Sequence, residues 1–289
     1  AHPGYARTLY TMAQCHMQGR SFDLALRLLR HCSDVSASSL GERHPEFGRS
    51  LFATAQCLQA QDEHDAALEV LERCEGIQAS SLGELHPSRA ATLFAMALSH
   101  RAKGAYDAAL ILFGKSSTTY GLSLGSTHPK TVRALYAMAQ CRLQMGEYDA
   151  ALDLLETCKA GYAESLGEDH PSFANTLFTM ARCHMQKGEA DSALELLKRC
   201  LRIERGAFGD DHPRVRSTQA TLSRCMGVKT TSDEAPGPPG ARTGTGERAR
   251  VNDAARPALA TSAKRKSPRP NDEGMELQEG PTAADPCVR

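Results

Sequence analysis

Ten Cys and eleven His are the residues of this 289-residue chain with the chemistry for metal binding, thiol redox or nucleophilic attack. Their spacing argues against each. Cys15, Cys57, Cys141, Cys183 and Cys225 recur at one place in a regular pattern, and Cys32, Cys74, Cys158 and Cys200 follow at a second place. One copy of the pattern has Ser99 and Ser116 there instead. No C-x-x-C pair occurs, so the thiols are expected to be small, buried, reduced side chains of a reducing compartment. His44, His86, His128, His170 and His212 each precede a Pro, as does His2. Successive copies stand a whole structural unit apart, too far to share a metal at bonds of about 2 Å. Each reads as a turn residue ahead of a helix. No Ser/His/Asp grouping, Gly-rich phosphate loop or paired carboxylate emerges, so neither catalysis nor a cofactor is expected.

The chemistry that remains is recognition. Tyr10, Phe52, Phe94, Tyr136 and Phe178 recur at the same interval. Arg7, Arg49 and Arg133 precede such a ring by three residues, and Gln14, Gln56, Gln140 and Arg182 follow one by four, so on a helix all project from one face. One reading makes the rings packing wedges between neighbouring helices. The other makes them rungs of a ladder for an extended peptide, whose carboxylates pair with guanidinium groups while its side chains sit on the rings. These twelve residues form the candidate partner-binding site.

The element that must carry them is a repeat. LGERHP, LGELHP, LGSTHP, LGEDHP and FGDDHP place their His at 44, 86, 128, 170 and 212, a 42-residue period. His2-Pro3 fits the register, so the sequence opens inside an inter-repeat turn and further units are expected upstream. Each unit runs from His-Pro through a segment such as TLFTMARCHMQ, a turn such as QKGEA, and a longer segment such as DSALELLKRC. Leu177, Met180, Ala181 and His184 keep helical spacing in the first segment, as do Ala193, Leu194, Leu197, Cys200 and Leu201 in the second. Pro suits the first turn of a helix and the Gly of each LG pair its end. An apolar content dominated by Ala and Leu, with 5% aromatics, speaks against the β-rich blades of a propeller of similar period.

The openings FDLAL (from Phe22) and YDAAL (from Tyr106 and Tyr148), with Ala13, Ala55, Ala97, Ala139 and Ala181 in the first helices, resemble tetratricopeptide repeats. The 42-residue unit with LGxxHP between copies resembles the kinesin light chain variant. The resemblance implies an all-α, right-handed α-solenoid of about five and a half units, starting at His2, His44, His86, His128, His170 and His212 and ending near residue 226. It also implies that first helices line the concave face and that the protein is a scaffold. Kinesin light chain repeats carry an Asn pair where this chain has Tyr10-Thr11, Phe52-Ala53, Phe94-Ala95, Tyr136-Ala137 and Phe178-Thr179. That family's cargo rules are therefore not carried over.

Thirty-four Lys and Arg cancel 34 Asp and Glu, which removes the simplest argument for nucleic-acid binding. The neutrality hides a division. First helices hold Arg7, Arg49, Arg89, Arg101, Lys130, Arg133, Arg142, Arg182, Arg214, Arg216 and Arg224 against the single acid Glu46, whereas acids predominate on the second helices. The partner expected is thus a protein or peptide of acidic and apolar character. A single-stranded nucleic-acid binder and the regulatory arm of a larger enzyme or signalling protein are the alternatives. No apolar run approaches the roughly 18 residues of a membrane span, and a cytoplasmic location is expected. Residues 227–289 lose the period and turn rich in Pro, Gly and Arg, a composition expected to be a disordered tail. Lys264, Arg265 and Lys266 with upstream basic residues weakly resemble a nuclear signal, and Ser267-Pro268 a phosphosite; a solvated linker is the preferred reading.

Overall fold

The computed structural model describes residues 3–233, all within one compact unit. His2 and residues 234–289 of the expected tail lie outside the described residues, whereas residues 227–233, expected to be disordered, continue the last helix. Within them the chain forms eleven α-helices and no strand. First helices are α1 (Pro3–Gln18), α3 (Pro45–Ala60), α5 (Pro87–Ala102), α7 (Pro129–Gln144), α9 (Pro171–Lys187) and α11 (Pro213–Asp233). Second helices are α2 (Phe22–Leu40), α4 (His64–Leu82), α6 (Tyr106–Leu124), α8 (Tyr148–Ser165) and α10 (Ala190–Phe208). Each helix packs on the one before and the one after it, the nearest-neighbour stacking of a solenoid.

The His-Pro pair starts each first helix more actively than a turn residue would. Nδ1 of His44, His86, His128 and His170 accepts the backbone N–H two residues on, at 3.1–3.2 Å, and His212 does so at 3.3 Å. The imidazole thus serves as the N-cap acceptor and Pro fills the first helical position, where an N–H would have no partner. Between the two helices of a unit the chain takes one left-handed residue, which is Gly104, Gly146 or Gly188 in three units but Arg20 (φ 56°) and Asp62 (φ 62°) in the first two. The turn geometry is therefore common to all units, although the Gly that suits it is not.

The second-helix Cys is buried against its own unit's first helix. Sγ of Cys32, Cys74 and Cys158 donates to the carbonyl of Ala6, Gly48 and Val132, at 3.2, 3.1 and 3.6 Å. Ser116 Oγ makes the equivalent bond to Ala90 at 2.8 Å, so Ser replaces Cys there with the same hydrogen bond. The first-helix Cys faces the preceding unit: Cys57 packs with Ala25 and Leu29, and Cys141 with Ala109 and Phe113. Burial pushes the thiols of Cys57, Cys74 and Cys183 up to about 11 and those of Cys158 and Cys200 to about 12, leaving them thiols at neutral pH. Cys15 departs from the expected burial and is exposed. It lies on the stripe Tyr5, Thr8, Met12 and Cys15 of α1, which a preceding second helix covers in later units; here, among the described residues, Tyr5 meets only the edge of His31 and Cys15 stays open.

Of the residues expected on the core stripes, Leu177, Met180, Ala181, Ala193, Leu194, Leu197, Cys200 and Leu201 are buried. His184 is half-buried instead, its Nδ1 held 2.6 Å from the Glu189 carboxylate at the following turn. Among the described residues no helix is long and apolar enough to cross a membrane, and no group of three His, Cys, Asp or Glu could hold a metal ion.

Candidate functional site

Consecutive first helices touch one another directly, α3 with α5 and α7 with α9. Second helices splay: a cleft between α2 and α4, floored by Phe47, Leu51 and Thr54 of α3, opens on the other side. First helices therefore form the inner, concave row, as the resemblance implied.

On that row the structure brings the expected rings and arginines together, but across units rather than along one helix. The Arg49 guanidinium of α3 lies 4.2 Å from the centroid of the Tyr10 ring of α1, and that of Arg133 on α7 lies 4.6 Å from the Phe94 ring of α5. Such cation–π contacts contribute roughly 0.5–1 kcal/mol at exposed sites. Arg49 is also engaged by Glu46 at 3.1 Å. Burial raises the Tyr10 phenol above its ordinary value, with the Arg49 charge opposing.

The rings are not equivalent. Phe94 is only 8% exposed and meets Phe113 edge-on at 5.1 Å, so it is an inter-helix wedge. Tyr10, Phe52, Tyr136 and Phe178 are half-buried. The Tyr136 hydroxyl reaches Thr179 Oγ1 at 2.8 Å, bridging α7 to α9. Gln14, Gln56 and Arg182 are half-buried, Gln140 accepts a hydrogen bond from Arg101, and Arg7 is exposed.

Sequence reasoning missed these bridges. Gln59 Nε2 of α3 donates to Ala95 O (2.7 Å) and Ser99 Oγ (2.8 Å) of α5. Lys103 reaches Asp65, Lys187 reaches Asp149 at 2.8 Å, and Gln61 reaches Asp23 at 2.8 Å. The Lys103 hydrogen bond holds the Asp65 carboxyl below its ordinary value. The signal was readable: every complete unit has an acid one residue into its second helix, four short of a full period before the next unit's turn.

Pairing also thins the basic excess. Arg89 is taken by Glu75 at 2.7 Å, Arg142 by Glu147, and Arg214 by the buried Glu204 at 3.5 Å. Arg7, Lys130, Arg133 and Arg224 are exposed and have no acidic partner among the described residues. They are the open charge of the inner face.

Paired antiparallel helices stacked at a 42-residue period, with an inner row of arginines and rings, define a helical-repeat solenoid. The model of the tetratricopeptide repeat matches residues 4–80, 88–164, 132–203 and 172–227, and the chain belongs to the tetratricopeptide repeat family, whose members generally serve as protein–protein interaction scaffolds. Among solved structures, nearly identical TPR-like repeats of a kinesin light chain from Podosopora anserina are 28% identical, with a TM-score of 0.63 over 72% of this chain and 98% of that one. BtubC (BKLC) from P. vanneervenii shares the fold at 17% identity and a TM-score of 0.65, over 73% and 84% of the two chains. The Rap regulator of plasmid pLS20, solved in complex with the Phr* peptide, matches at 14% identity and a TM-score of 0.55, over 74% of this chain and 56% of that one. No curated protein matches the sequence.

Proposed function

We propose that this chain is a non-catalytic interaction scaffold that holds an extended partner segment, acidic and partly apolar, along its first helices. The observation that carries the reading is the set of exposed inner-face bases without acidic partners, Arg7, Lys130 and Arg133 foremost, beside half-buried rings that present an apolar edge. A carboxylate arriving at Arg133 meets a guanidinium already oriented on the Phe94 ring, so little side-chain freedom is lost on pairing. That the Rap solenoid, of the same fold, is solved with a peptide supports the reading. The scaffold comprises residues 1–226 with its last helix running on to Asp233, and the residues that follow are a tail. Nine unpaired thiols fit a reducing compartment, and we place the protein in the cytoplasm.

The test is a binding series with fluorescent peptides. Acidic, Leu-containing peptides should bind and basic ones should not, with affinity falling as salt rises, because exposed charges are screened over about 10 Å at 0.1 M. Arg133→Glu should slow association and weaken binding at least tenfold, while Glu69→Gln, on the outer side, leaves it unchanged. Tighter binding of single-stranded RNA than of any acidic peptide, abolished by the same Arg substitution, would replace this reading with the nucleic-acid one.

A further inference from the structure

The three most exposed large apolar side chains of the described protein gather at the third unit: Leu122 (68%) and Ile111 (62%) within it, and Leu85 (56%) in the turn that leads into it. Comparison with the other units makes this specific. Where α6 has Ile111, the other second helices carry Arg27, Glu69, Asp153 and Glu195. Where it has Leu122 they carry Ser38, Ser80, Glu164 and Gly206, and Leu85 stands in for Arg43, Thr127, Asp169 and Asp211. Gly114 likewise replaces Arg30, Glu72, Glu156 and Lys198. Residues that are polar or charged in the other units, Gly206 apart, are thus replaced by apolar and small ones at four outward positions, three in this unit and one in the turn before it.

Geometry joins these positions. Ile111 and Leu122 are eleven residues apart, three helical turns, so they share a face about 16 Å long, with Lys115 and Thr118 between them. The antiparallel register set by the Ser116–Ala90 bond brings Leu85 level with the Leu122 end of α6. No inner-face residue takes part, since α6 is a second helix.

We infer that this outer face of α6 is a second docking surface, and that its occupant is a basic amphipathic helix of a partner protein. Its length suits a helix presenting apolar residues at i, i+4, i+7 and i+11. Charge selects its sign. The equivalent faces of the flanking units present exposed acids, Glu69 and Glu72 on α4 and Asp153 and Glu164 on α8, none of them ion-paired among the described residues; Glu156 is engaged by Lys159. Asp107 adds another acid at the start of α6, against Lys115 and, on the α4 face, Arg73, which Glu42 engages at 2.9 Å. An apolar strip between two acidic rims repels an anionic lipid surface and attracts Lys and Arg flanking an apolar stripe.

The probe is a synthetic helix of Leu and Lys with that Leu spacing, labelled for anisotropy and titrated with the full chain. Binding is expected, to weaken at least tenfold with Ile111→Glu and with Leu122→Ser, which restore residue types found in other units, and to weaken with Glu69→Lys. The same helix with Glu for Lys should not bind, and Arg133→Glu should change nothing, which separates this surface from the inner one. Leu85→Asp, a loop substitution, repeats the test where either helix variant melts early. Equal binding by the variants, preference for the Glu helix, or self-association of the chain that these variants abolish would overturn the proposal.

Discussion

Phe94 and His128 show how a single residue's role follows from what its polar or apolar surface meets. Phe94 is walled by Phe113, Ala97 and Arg133, so Phe94→Ala removes a buried ring from an inter-helix junction. A loss of about 3–5 kcal/mol is expected in urea unfolding, with peptide affinity per folded molecule weakened as well, because Arg133 loses the ring that orients it. His128 Nδ1 accepts the Lys130 N–H at 3.2 Å, which demands an unprotonated nitrogen. Burial, and secondarily the Lys130 charge, hold its imidazole below the ordinary value. The unfolded chain therefore binds the proton more readily, and stability from this group is complete above the unfolded value, near 6.5, and is lost as pH falls through the lower folded one. His128→Asn, which caps at every pH, should flatten the stability profile below about pH 6.5. His128→Ala should lower stability by about 1 kcal/mol at pH 8; chemical denaturation across pH distinguishes the two.

At the scale of the element, each unit is closed by one small and one large side chain across its two helices. Ala6, Gly48, Ala90 and Ala174 on first helices sit opposite Val35, Ile77, Thr119 and Ile203 on second helices, and a Cβ on Gly48 would already touch Ile77 at 3.4 Å. The fourth unit exchanges the sizes: Val132 opposes Gly161, where an added Cβ would fall 2.7 Å from Val132 Cγ2. Gly161→Ala alone should overpack α7 against α8 and destabilise by roughly 1–3 kcal/mol. Val132→Ala alone should leave a void. The double variant restores the arrangement of the other units and should recover most of the combined loss, a coupling that a double-mutant cycle in urea measures directly.

The whole molecule is a one-dimensional stack, so its stability is a sum over units and junctions. Excising residues 86–127 joins α4 to α7 with the 42-residue register intact, and the incoming Ala134, Ala137 and Cys141 meet Ala67, Leu68 and Leu71 in place of Ala109, Leu110 and Phe113. The shortened chain should keep its helicity per remaining repeat by circular dichroism, unfold with a smaller denaturant slope, and lose binding of the basic helix. Loss of helicity across all units would show that the stack folds as a single block.

The period, the helix starts and the buried Ala and Cys positions were legible because they depend on local spacing: Pro and Gly punctuate, and a side chain repeated every 42 residues meets the same surroundings each time. The helix-turn-helix repeat follows from that alone, while the family and the solenoid rested on the resemblance of YDAAL and LGxxHP to known repeats. What spacing could not decide is which groups on different units meet. Arg49 was read as an edge to its own helix's Phe52 and instead covers Tyr10 of the preceding unit; Phe94 became a wedge while Tyr136 became a bridge; and Cys15 is exposed because its covering surface belongs to a neighbouring helix. Stacking fixes those partners through the offset of one unit on the next, a tertiary quantity that no single helix encodes. The charge division between helices was visible in the sequence, but how much of it stays open for a partner was settled only when Arg89, Arg142 and Arg214 found acids across their helix junctions.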